Sequence, residues 1–100
     1  MPTASELAKT FDALGHPLRL RIISVLSEKE EMYLNEIANK LGINRALAKV
    51  HLKKLEKAGL VKSRVELVEG EAKARRYYKL KDFNIKVSPE ILRKEVENNG

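Results

Sequence analysis

LNEIANKLGINRALAKVHLKKLEKAGLV, Leu34 to Val61, holds two helical patterns separated by a glycine-led turn. In the first, Leu34 to Leu41, the residues Ile37, Ala38 and Leu41 share one apolar face, and Gly42 stands where a helix C-terminus prefers glycine. Ile43 plugs the turn, and Asn44 is an N-cap for a second helix that runs from Arg45 to about Ala58 and stops at Gly59. On that second helix Ala48, Leu52 and Leu55 follow an i, i+4, i+7 rhythm, joined by Leu60 just beyond it, so this stripe faces inward. About a third of a turn away lie Arg45, Lys49 and Lys53, each four residues from the next, with Ala46 and Val50 alongside. The helix has an aliphatic back and a basic front.

Reading outward towards the C-terminus, Val61, Ser63, Val65 and Leu67 alternate with Lys62, Arg64 and Glu66, the period of a half-buried strand. Glu69 to Lys73 make a hairpin tip. Arg76, Tyr78 and Leu80 then alternate with Arg75, Tyr77 and Lys79 on a returning strand. The adjacent tyrosines therefore face opposite ways, and one of them is expected in the core. Phe83, Ile85 and Val87 continue an alternation through 82–87, which fits a third strand and an extended connector equally well. Ser88 and Pro89 are a cap and a first-turn proline for a last short helix to about Glu97. Towards the N-terminus, Leu7, Phe11 and Leu14 predict a helix over about Ala4 to Leu14, capped by Thr3 or Ser5. A second helix follows from Pro17 to about Ser27, burying Leu18, Ile22, Val25 and Leu26 and leaving Arg19 and Arg21 nearer the surface. Met32 and Tyr33 suit a short strand before Leu34, and Glu36 is placed to approach the free N–H groups of the helix that starts there.

Charge follows the same division. From Asn44 to Lys81 there are 12 lysines and arginines against 4 acidic residues, whereas the rest of the chain holds 8 against 10. A basic segment on a near-neutral support is the electrostatic footprint of a phosphate-binding surface. One hundred residues make one domain, 1–100, mainly α with a small β-hairpin, whose thin core a helical dimer interface would supplement. With no cysteine there is neither a disulfide framework nor a thiolate metal site. No apolar run approaches membrane-spanning length and no signal-peptide pattern opens the chain, so a cytoplasmic location is expected. The chain has no glycine-rich phosphate loop and no grouping of a nucleophile with a base, which argues against an enzyme.

A short helix, a tight turn, a basic helix and a basic hairpin together present one helix to a DNA major groove with a wing beside it. Arg45, Ala46, Lys49 and Val50, on the N-terminal part of the basic helix, are expected in the groove, and Lys53 on a phosphate at its edge. Arg64, Lys73, Arg75 and Arg76 are the wing cations suited to phosphate or the minor groove, with Glu69 and Glu71 weakening the tip. Lys54 and Lys57 lie further round and read as ordinary surface. A sequence-tolerant architectural protein and a protein-contact module are the rival readings, the latter disfavoured by the local charge.

LGHPLRLRIISVL (Leu14–Leu26), the stretch quoted first, and RRYYKL (Arg75–Leu80) resemble the ArsR/SmtB group of winged helix-turn-helix repressors over about Leu14 to Leu80. HLKKLEKAGLV, His51 to Val61, is shared by many winged-helix repressors and marks the fold more than the subgroup. The resemblance implies a homodimer assembled through the first and last helices, here Leu7, Phe11 and Leu14 against Ile91, Leu92 and Val96, and repression relieved by an inducer. Members that sense arsenic or cadmium carry thiolates where EMYLNEIA, Glu31 to Ala38, has Tyr33 and Asn35. Zinc sensors use Asp, His and Glu on a long last helix, and no histidine here lies beyond His51. No metal or other cofactor is therefore expected, and no inducer can be named. His16 and His51 read as structural histidines, with a small pH response through His51 left open.

Overall fold

The computed structural model describes residues 3–70 and 73–99, with side chains through residue 94. Five helices and three strands follow in the order α1 (Ala4–Leu14), α2 (Pro17–Leu26), β1 (Met32–Tyr33), α3 (Leu34–Leu41), α4 (Arg45–Lys57), β2 (Val61–Leu67), β3 (Ala74–Leu80) and α5 (Pro89–Asn99). Local chemistry sets the boundaries. The Thr3 hydroxyl accepts the Glu6 N–H at 3.1 Å, and Asn44 Oδ1 accepts the Leu47 N–H at 2.8 Å. Ser88 Oγ does the same for the Ile91 N–H at 3.1 Å. At the end of α3 the chain turns through Gly42 at φ 67°, and the Ile43 N–H reaches back to the Ala38 carbonyl at 3.0 Å. Such a left-handed residue closes a helix with little penalty only when it is glycine.

The helices pack around a core in which Ile22, Met32, Ile37, Leu52, Leu55 and Val61 are fully buried. Each such side chain contributes roughly 1.5–3 kcal/mol of transfer free energy. The strands form one antiparallel sheet in the order β1–β3–β2. Its register sets Met32 opposite Tyr78, Tyr78 opposite Ser63, and Val61 opposite Leu80. Tyr78 is the buried tyrosine, at 2% exposed.

The 82–87 segment is a connector: no residue from Lys81 to Ser88 is in a strand, and Phe83 and Val87 are exposed. Two side chains gain partners. Glu36 stands in the first turn of α3, as expected, and also pairs with Lys29 of the α2–β1 loop. Arg19 lies nearer the surface than the buried stripe, as expected, but is half-buried, and its guanidinium donates to three acceptors where α1, α2 and α4 meet. Among the described residues no helix is long and apolar enough to cross a membrane.

Candidate nucleic-acid interface

The two faces of α4 have opposite fates. Ala48, Leu52 and Leu55 are wholly buried and His51 nearly so. Arg45, Ala46, Lys49, Val50 and Lys53 are all exposed, so all five residues assigned to the groove or its edge project from one helix into solvent. Leu47 is exposed too, an apolar neighbour that the basic-row reading passed over. Thirteen residues of helix span about 20 Å, and the width of α4 suits a B-DNA major groove of about 12 Å.

The wing cations fall on different faces of the sheet. Register places Arg76 opposite Val65 and on the same side as Ser63 and Tyr78, the side turned to α4. Arg76 donates to Ser63 Oγ at 3.0 Å, and that hydroxyl donates to Glu56 of α4 at 2.5 Å. Arg76, Tyr78, Lys49, Lys53 and Glu56 line a cleft of about 310 Å³ between wing and helix. A second, polar cleft of about 190 Å³ lies where the wing meets the head of α3. There Arg45, Lys73, Arg75 and Arg76 converge beside Tyr33 and Asn35. Arg75 itself stacks over the Tyr33 ring, 4.7 Å from its centroid.

Arg64 lies on the opposite face, which register also gives to Arg75. Its guanidinium meets both carboxylate oxygens of Glu31 at 2.8 Å and Glu66 at 2.8 Å, and lies 4.7 Å over the Tyr77 ring. Those carboxylates hold the guanidinium firmly protonated, and Arg64 in turn holds the Glu31 carboxyl below the ordinary glutamate range. Glu28, Glu30 and Glu31 of one loop thus pair with Lys40, Lys79 and Arg64 on three elements. The counter-charge sits on the outer face of the sheet and beside α3. Among the described residues no ion pair involves Arg45, Lys49, Lys53 or Lys73. Positive charge that the sequence counts together is sorted in space, and on the front of α4 Arg45, Lys49 and Lys53 form no ion pair among the described residues, although Glu56 lines the cleft beside Lys49 and Lys53.

The expected dimer residues are less uniform. Leu7 is buried and Leu14 half-buried within the chain, Ile91 and Leu92 are half-buried, and Phe11 is exposed. The side chain of Val96 lies outside the described residues, as do Glu71 and Ala72 of the wing tip. Among the described residues no three His, Asp or Glu side chains gather into a metal-binding group. The hydrogen bonds of Arg19 to His51 and of Arg76 to Ser63 join residues 32 and 13 positions apart, which the sequence pattern does not show.

A family model described as a helix-turn-helix domain matches residues 14–64. An uncharacterized HTH-type transcriptional regulator from Methanocaldococcus jannaschii is 37% identical over 93 residues, covering 93% of this chain and 95% of that protein. Among solved structures, the homodimeric winged helix-turn-helix DNA-binding domain of a possible ArsR-family regulator from Mycobacterium bovis has a TM-score of 0.66 at 30% identity. That match covers 76% of this chain and 64% of the other. The transcriptional repressor BigR from Xylella fastidiosa gives a TM-score of 0.64 at 26% identity, over 79% of this chain and 75% of that one.

Proposed function

This chain belongs to the ArsR-type helix-turn-helix transcriptional regulators, and we propose that it is a dimeric repressor that reads an inverted repeat in the cytoplasm. It is a DNA-binding regulator, not an enzyme. Arg45, Ala46, Lys49 and Val50 read base edges, an arginine being suited to guanine and small apolar groups to thymine methyls. Lys53, Arg76 and Lys73 grip phosphates, and Arg75 of β3 assists from the cleft beside the head of α3. Arg64, counted with the wing cations by sequence, supports the sheet instead. The observation that carries this reading is the row Arg45, Lys49 and Lys53, exposed and without carboxylate partners among the described residues, over a fully buried aliphatic back.

Dimerisation through α1 and α5 is supported by exposed Phe11 and by the homodimeric state of the Mycobacterium bovis domain. Two α4 helices then enter successive major grooves about 34 Å apart. The test is competition at fixed salt between a duplex selected from a random pool and unselected duplex. A sequence-specific repressor prefers the selected site by about a thousandfold or more. A ratio near one identifies a coating protein, and no binding to either duplex identifies a protein-contact module.

A further inference from the structure

Behind its DNA-facing side, the middle of α4 is tied to α1 and α2 by one guanidinium. Arg19 of α2 donates its Nε–H to Nδ1 of His51 at 3.0 Å. Its Nη1 donates to the carbonyl oxygens of Asp12 at 3.3 Å and Ala13 at 3.2 Å. Both carbonyls belong to the last turn of α1; the Asp12 oxygen also accepts the Gly15 N–H at 3.3 Å. His51 sits at 7% exposure in the middle of α4, one residue after Val50. His16, in the α1–α2 turn, caps α2 through its own Nδ1, and its ring centroid lies 4.6 Å from that of His51. One side chain therefore joins the end of α1, the head of α2 and the centre of the helix that carries Lys49 and Lys53.

We infer that Arg19 and neutral His51 are positioning residues for DNA binding, locking α4 to α1, and that a proton on His51 opens this lock and lowers affinity for DNA. The inference rests on the DNA-binding reading above. Its chemistry is specific. Nδ1 accepts from Arg19 only while it carries no proton, so the ring proton resides on Nε2; an imidazolium has two donors and no acceptor. The charged and titratable groups that act on His51 are His16 from the α1–α2 turn and Arg19 from α2, and neither stabilises an imidazolium. α1 presents the Asp12 and Ala13 carbonyls to Arg19, and the charged side chains of Asp12 and, one turn along α4, Lys54 line the neighbouring α1–α4 cleft. Burial, then His16, then Arg19 push the His51 pKa below its ordinary value of 6.5. The lock is thus closed at neutral pH and opens only on acidification beyond the ordinary imidazole range.

Simple electrostatics gives the opposite sign. A protein that gains positive charge on acidification binds a polyanion more tightly. The experiment measures fluorescence anisotropy of a labelled duplex at fixed salt, from about pH 7.5 to about pH 5.5, with circular dichroism confirming intact helices at each pH. For the wild type we expect affinity to fall at least about fivefold on acidification. His51→Gln keeps an acceptor for Arg19 but does not titrate, and its affinity stays level or rises. Arg19→Met binds more weakly than wild type near neutrality and lacks the acid-induced fall, and Arg19→Lys recovers part of the lost affinity. Wild-type affinity that rises with acidification in parallel with His51→Gln overturns the inference, as does Arg19→Met binding as wild type does. Failure of the wild type to bind any duplex at neutral pH would instead refute the DNA-binding reading itself.

Discussion

Arg64 and Arg76 show how far one residue type can diverge on a single hairpin. Arg64 is held between Glu31 and Glu66 on the outer face, whereas Arg76 is steered through Ser63 towards the cleft it shares with Lys49 and Lys53. Arg76→Ala should weaken binding to every duplex and lower the salt-dependence slope by about one. Arg64→Ala should leave both within about twofold, since an ion-paired arginine releases few counterions when replaced. Titration of binding against salt for the two variants checks this pair. Parity along β2 and β3 already separates the two arginines in the sequence, Arg64 with Lys62 and Arg76 with Tyr78. What parity cannot supply is the pairing with Glu31, which is built by the fold from residues far apart in the chain. The same holds for Arg19, whose acceptors come from α1 and α4.

At the scale of elements, caps and periodicity carried most of the information. Thr3, Pro17, Asn44 and Ser88 start helices where their chemistry predicts, and Gly42 ends α3 in the left-handed conformation. The ends of α2, α4 and α5 differ from expectation by a residue or two, because a last turn has no residue-specific signal comparable to an N-cap. The 82–87 alternation left strand and connector open, and the segment is a connector. Period-two apolar residues indicate a strand only if a neighbouring edge is available. The sheet consists of β1, β3 and β2, and the 82–87 residues pair with neither outer strand. Asn44→Ala removes the acceptor for the Leu47 N–H and should cost about 1 kcal/mol. For a domain of this size that lowers the melting temperature by roughly 4–8 °C. Because the cap lies immediately before Arg45, DNA affinity should fall as well, and Asn44→Asp should restore the melting temperature in calorimetry.

Across the whole molecule, shape and charge point the same way. The radius of gyration is 15.9 Å, against about 13 Å for a compact chain of this length, and the long axis extends 56 Å. Such a chain has much surface for its volume, and exposed Phe11, Leu20 and Phe83 are apolar parts of it. If α1 and α5 form the dimer, Phe11→Asp combined with Leu92→Asp should yield monomers in sedimentation equilibrium. Affinity for an inverted repeat should drop at least about a hundredfold, with half-site binding kept. A double variant that stays dimeric would move the interface elsewhere. The sequence carried net charge and its position along the chain, but not its neutralisation, which depends on the loop Glu28–Glu31 reaching over to β2, β3 and α3. That sorting leaves Arg45, Lys49 and Lys53 on the front of α4 without ion pairs among the described residues.

The most direct test of that surface is the specificity ratio of Arg45→Ala/Lys49→Ala, measured by competition between the duplex selected by the wild type and random duplex at fixed salt. Each well-formed base contact discriminates by about 1–3 kcal/mol, so the ratio should collapse by at least about tenfold while circular dichroism stays unchanged. A double variant that keeps the wild-type ratio would show that α4 does not read the DNA.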